Sequence, residues 1–168
     1  MYLFYAPDIE GDYYTLNAEE SRHCIRVLRF TEGESVSLVD GKGNWYNAVV
    51  ERPELKGCGV RVTEKIENHG QRPFHLHLAV APTKNIDRTE WMLEKCTEMG
   101  IDEITLLHTA HSERKVVKDE RLEKVLVSAM KQSLKAYLPR LNPMVDFRQM
   151  VTEECSAQKF IAHCCPGE

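Results

Sequence analysis

Short apolar–polar alternation shapes the first 70 positions, and a spacing of three to four residues shapes much of the remaining chain. "MYLFYA" opens as an aromatic, β-prone run. "ESVSLVD" alternates, and "WYNAVVER" answers it across "GKGN", a turn whose glycines permit positive φ. "GVRVTEKIE" follows the "KGCG" turn with the same period of two. One helix interrupts these strands: Asn17 is placed to cap "AEESRHCIRVLR", and Glu20 stands where a capping box closes. Short strands with glycine turns around one helix predict a small barrel or strongly bent sheet.

The pattern changes within "IENHGQRPF", which places a domain boundary there and divides the chain into residues 1–70 and 71–168. From Phe74 the order is strand (74–81), helix (about 87–99) and strand (101–107). Asp87 is expected to cap that helix, Glu90 to close a capping box and Gly100 to stop it. Trp91, Leu93, Cys96 and Met99 include its apolar positions. This βαβ unit predicts a right-handed crossover and a parallel sheet. A second helix, "DERLEKVLVSAMKQSLKAYLP", is expected from Asp119 to just before Pro139, with Leu122, Val125, Leu126, Ala129, Met130 and Leu134 as its buried stripe. "KFIAHCC" reads as a further strand.

At 168 residues, 42% hydrophobic and 29% charged, the chain has the composition of one or two ordinary small domains. No apolar run approaches the ~20 residues of a membrane span. "MYLFYAPDIEGD" is not a signal peptide, which points to the cytoplasm. Cys24, Cys58, Cys96, Cys155, Cys164 and Cys165 form no Cys-x-x-Cys pair and read as reduced, mostly buried thiols. His75 and His77 would share one face of a strand, and His108 and His111 form a second pair. Neither has further ligands at recognisable spacing, so no metal site is expected.

The net charge of −4 is unevenly spread: residues 1–70 carry 8 Lys/Arg against 12 Asp/Glu, whereas residues 112–140 carry 8 against 4. On the second helix Arg121, Lys124, Lys131 and Lys135 follow at steps that put four cations on one side. Such a side is either a solvated face or a surface that tracks phosphates. Arg114, Lys115 and Lys118 lie just upstream. Arg22, Arg26 and Arg29 are spaced to share another helix face, either to grip RNA or to pair with Glu19, Glu20 or Glu32. His23 between them suits a buried, hydrogen-bonded ring. The loop after the first α/β strand holds Lys84 and Arg88 where a nucleotide site would have glycines. The chain has no Gly-x-Ser-x-Gly elbow, Gly-Lys-Ser/Thr loop or paired-carboxylate motif, so no catalytic residue is assigned. Residue by residue, these features describe a two-domain RNA-binding protein, alone or as part of an enzyme.

Four stretches, "HCIRVLRFTEGE", "LAVAPTKNIDRTEWMLEKCTEMGIDEITLL", "HSERKV" and "AMKQSLKAYLPRLNP", together resemble the RsmE family, methyltransferases that modify N3 of a uridine in 16S ribosomal RNA. They stand in the family's order. The resemblance implies an α/β protein with an amino-terminal PUA-like β-barrel for RNA. It also implies a SPOUT-type α/β domain whose carboxy-terminal trefoil knot binds S-adenosylmethionine, and a homodimer formed through that domain. Lys131 and Lys135 stand where many relatives have Glu and Arg. The family's cofactor segment, with a Gly-Pro-Glu-Gly-Gly-Phe-like loop, is expected after Glu168, so no cofactor-binding residue is expected within these 168 and the chain by itself is expected to be inactive. The implied partner is the small ribosomal subunit, with no membrane. The other readings are a non-catalytic RNA-binding module and a small-molecule α/β enzyme, the latter indifferent to RNA.

Overall fold

The computed structural model describes residues 2–162. Five strands form the first sheet: β1 (Leu3–Tyr5), β2 (Tyr13–Thr15), β3 (Ser35–Val39), β4 (Trp45–Arg52) and β5 (Gly59–Ile66), in the order β1-β3-β4-β5-β2. β1 runs parallel to β3 and the other pairs are antiparallel. The sheet curls around Phe4, Leu16, Leu38, Val50 and Val60, all buried. Helix α1 (Ala18–Arg22) lies against this core. Cys24 and Cys58 meet inside it, sulfur to sulfur at 4.0 Å. Burial, with Cys58 adjacent, pushes the Cys24 thiol up to about 12, as expected of inert core thiols. Cys96 is also buried and Cys155 is exposed. Cys164 and Cys165 lie outside the described residues.

Three parallel strands, β6 (His77–Val80), β7 (Glu103–His108) and β8 (Arg140–Asp146), form the second sheet in sequence order. Helices α2 (Ile86–Met99) and α3 (Asp119–Gln132) pack on one face of it around Leu93, Ile104, Leu106, Leu122 and Leu126. The short helix α4 (Phe147–Thr152) follows β8. No described helix is long and apolar enough to cross a membrane.

Several local expectations differ from this outcome. Asn17 caps α1, but Glu20 does not close a capping box; its carboxylate turns away to the second domain. The first helix changes to a π-helical turn over His23–Val27, and Arg29 takes a left-handed φ of 60°. His23 is therefore exposed, edge-on to Phe4, rather than buried. Asn85, not Asp87, caps α2: its side chain accepts from the Asp87 amide at 3.0 Å. Gly100 does stop α2, at φ 89°. Trp91 and Met99 lie on its outer surface. The strand expected from residue 74 begins at His77. α3 ends at Gln132 because Leu134 turns left-handed (φ 54°), which carries Ala136 into a core shared by both domains. β2, β8 and α4 appear in addition. Residues 159–162 are not a strand, and the remainder of "KFIAHCC" lies outside the described residues.

The two halves meet through that shared core, where Leu3, Val39 and Trp45 pack against Met130 and Ala136. Residues 136–138 run beside the β3–β4 turn, with Gly43 N donating to Ala136 O at 2.9 Å and Leu138 N to Gly41 O at 2.9 Å.

Candidate nucleic-acid interface

Arg22 ends α1 and Arg26 sits in the π-helical turn. Both are exposed, and among the described residues neither makes an ion pair. A π turn adds a residue to the local winding, which moves Arg26 off the face that α-helical spacing predicts. Arg29, beyond the turn and left-handed, leaves that face altogether. With Glu19, Val27 and Lys131, Arg22 and Arg26 line a groove of about 350 Å³ that crosses from one domain to the other.

Lys131 enters this groove from α3, and its ammonium lies 2.6 Å from the Glu20 carboxylate, which is nine-tenths buried. Three cations, Arg22, Arg26 and Lys131, against the two carboxylates of Glu19 and Glu20 leave the groove with a surplus of one positive charge. Glu20 fixes Lys131 there. We expect a double-mutant cycle with Glu20→Gln and Lys131→Met to return a coupling of roughly 1–2 kcal/mol in denaturant unfolding, between exposed and buried pairs. Additive losses would mean that the pair does not join the domains.

Most of the remaining basic residues occupy a separate region, the edge of the parallel sheet at the carboxyl ends of β6 and β7. Lys84 pairs with Glu113 at 2.9 Å. Arg114 donates to the backbone carbonyls of Thr83 (3.2 Å) and Lys84 (2.6 Å), lashing the loop after β7 to the loop after β6. Arg121 on α3 holds Glu90 of α2, with Nη2 donating to Oε2 at 2.9 Å, and Asp87 stands 3.6 Å away. Arg88, Lys115 and Lys124 are exposed and have no ion pair among the described residues. Lys135 lies outside α3, at the opposite edge of the sheet near Gly100. The four-cation stripe expected on one helix side is therefore divided: Arg121 is engaged by carboxylates, Lys124 is free, Lys131 belongs to the groove and Lys135 to another surface.

On the face of the parallel sheet away from α2 and α3, a polar chain joins the three strands. His77 Nε2 meets Thr105 Oγ1 at 2.7 Å, and Asn142 Nδ2 donates to Thr105 Oγ1 at 2.8 Å and to Glu103 Oε1 at 2.6 Å. The Asn142 bond, with His77, Arg140 and His75 nearby, holds the Glu103 carboxyl below the usual carboxylate range. Sequence reasoning missed Asn142 because it missed β8. Among the described residues, no group of three His, Cys, Asp or Glu side chains is placed to hold a metal.

Comparison with known proteins adds to this geometry. An RNA methyltransferase domain family matches residues 70–167, and an RNA methyltransferase PUA domain family matches residues 16–63. The chain is 24% identical over 148 residues to a ribosomal RNA small subunit methyltransferase E of Bacillus subtilis, covering 84% of this chain and 57% of that protein. A Synechocystis protein of the same name is 26% identical, with coverage of 90% and 49%. The chain thus spans about half the length of the curated relatives it matches. Among solved structures, a probable rRNA-methyltransferase from Porphyromonas gingivalis is 40% identical at a TM-score of 0.82, covering 92% of this chain and 65% of that one. A putative methyltransferase from Legionella pneumophila with bound cofactor SAM is 27% identical at a TM-score of 0.87, covering 100% and 72%.

Proposed function

The chain belongs to the RNA methyltransferase family, and from that premise we propose that the protein it represents transfers a methyl group from S-adenosylmethionine to N3 of a uridine in 16S ribosomal RNA. The observation that carries this reading is the domain order: a curled sheet matched by the PUA family, joined to the methyltransferase domain by a groove with cations from both sides. In this reading residues 1–70 hold RNA and residues 71–168 begin the methyltransferase domain. Arg22, Arg26 and Arg29 are assigned to RNA contact, with Lys84, Arg88, Arg114, Lys115, Arg121, Lys124, Lys131 and Lys135. Arg22 and Arg26 have the strongest geometric support, because one groove gathers them and neither is ion-paired among the described residues. Arg114 and Arg121 have the weakest, being engaged within the protein.

S-adenosylmethionine supplies the methyl group. The described residues do not by themselves fit it: at the carboxyl edge of β6 and β7, Arg114 occupies the Thr83 and Lys84 carbonyls and Thr83 Oγ1 donates to Asn85 O at 2.6 Å. We therefore place the donor site in the part of the relatives' length that this chain does not span. The reading includes a cytoplasmic homodimer acting on the small ribosomal subunit. What the described residues do is hold RNA: a uridine within folded ribosomal RNA must leave its stack before its N3 can react, and a broad basic grip offsets that cost.

Two measurements test this. Calorimetric titration should show S-adenosylmethionine binding to a chain extended past Glu168 and not to the 168-residue chain. The extended protein, given small subunits that lack the modification and a labelled donor, should produce 3-methyluridine. Donor binding without methylated uridine would overturn the proposed substrate.

A further inference from the structure

A second crevice, of about 600 Å³, opens at the other edge of the parallel sheet, where the interdomain segment 69–75 meets the ends of α2 and α3. It lies at the amino ends of β6 and β7, away from Lys84 and Arg114 at their carboxyl ends, and is distinct from the groove at Arg22. Its volume suits one nucleotide.

Its walls combine two kinds of chemistry. Phe74 is 59% exposed, and the Arg72 guanidinium lies over one face of its ring, 4.8 Å from the centroid, so a base would stack on the other face. Arg72 is held there by Asp102, Nη2 to Oδ2 at 2.8 Å, and Asp102 also accepts the Leu76 amide. The Phe74 ring is thus presented to solvent beside an anchored cation. Lys135 enters from the far wall. It makes no ion pair among the described residues, and its side chain and that of Arg72 both lie within 4 Å of the point a Cβ on Gly100 would occupy. Lys135 reaches that position because Leu134 is left-handed and ends α3. An exposed aromatic face beside unpaired positive charge is the combination that single-stranded nucleic acid recognises, base on ring and phosphate on cation. An apolar peptide would find the face it needs interrupted by both cations.

We propose that this crevice takes an unpaired nucleotide of the RNA substrate, its base against the Phe74 ring and its phosphate at Lys135. The inference rests on the RNA methyltransferase reading above and extends it with a second RNA contact on the opposite edge of the sheet. A chain held both at the groove and at the crevice is fixed at two points across the interdomain junction, which sets its register relative to the domain that modifies it.

The test uses the full-length protein and a single-stranded oligoribonucleotide carrying 4-thiouridine. Photo-crosslinking followed by peptide mapping should place adducts in segments 69–75 and 134–137 as well as at Arg22 and Arg26. Phe74→Leu, at an exposed ring, and Lys135→Gln, at a half-buried side chain, should each weaken binding by about tenfold, as loss of one stacked base or one phosphate contact does. Adducts confined to residues 19–27, with unchanged affinity in both variants, would overturn the crevice and leave the RNA-binding reading standing. Absence of RNA binding by the wild-type protein would sink both.

Discussion

Replacing Arg22 and Arg26 together by glutamate is expected to weaken RNA binding by the full-length protein about 30-fold near physiological salt, and to lower the salt slope by roughly two. Both arginines are exposed and lack carboxylate partners among the described residues. Their charge is therefore available to phosphates, and counterion release scales with the number of phosphates neutralised. Reversal also introduces repulsion next to Glu19 and Glu20. Thermal stability should be almost unchanged, since the one hydrogen bond affected is the solvent-exposed contact from Arg22 Nε to Ala18 O. The matching reversal at Arg121 should behave in the opposite way, because that guanidinium is held by Glu90 and Asp87. Anisotropy titrations of a labelled RNA across a range of salt would decide. A double variant that binds with wild-type affinity and slope would remove the groove from the RNA surface.

The contrast between Arg22 and Arg121 also shows what the sequence could and could not convey. Period-two strands, the βαβ order and the stop at Gly100 depend on local spacing, and they were legible for that reason. The fate of each charge depends on neighbours far along the chain. Glu20 stands three residues after its helix cap and Glu90 three after the cap the spacing suggested, yet each carboxylate reaches a cation on α3: Lys131, 111 residues from Glu20, and Arg121, 31 residues from Glu90. A local rule assigned them to helix ends, and tertiary packing gave them to domain and helix joints. β8 was hidden by Pro143, which lacks the amide a ladder needs. The register between β7 and β8 shifts at that point, with Thr105 opposite Asn142 and Leu107 opposite Val145, so the strand accommodates the proline in an irregularity. The crevice was illegible for a third reason: Arg72 and Phe74 come from one segment and Lys135 from another far along the chain, and the left-handed turn at Leu134 brings them together.

Gly43→Val is expected to lower stability by about 3 kcal/mol or more, the largest effect of any single change at the junction, because two independent costs coincide there. The residue has φ 101°, a conformation that a β-branched side chain adopts only with strain. A Cβ built on it would overlap the ring of Tyr137, well inside contact distance. The backbone on either side of Tyr137 is tied to the turn by Gly43 N to Ala136 O and Leu138 N to Gly41 O, so the clash is relieved only by the ring leaving its place at the crevice wall. His69 N also donates to Gly43 O at 2.8 Å, so movement of the turn would disturb the segment that lines the crevice. Denaturant unfolding measures the loss. The double variant with Tyr137→Ala separates its parts, because removing the ring relieves the clash and leaves the backbone strain. The two changes should therefore be less costly together than the sum of each alone, by about 1 kcal/mol or more. If Gly43→Val unfolds at the wild-type midpoint, the turn and Tyr137 are not packed as described. The two basic surfaces would then be free to move against each other, and an RNA held at both would gain no fixed register from the junction.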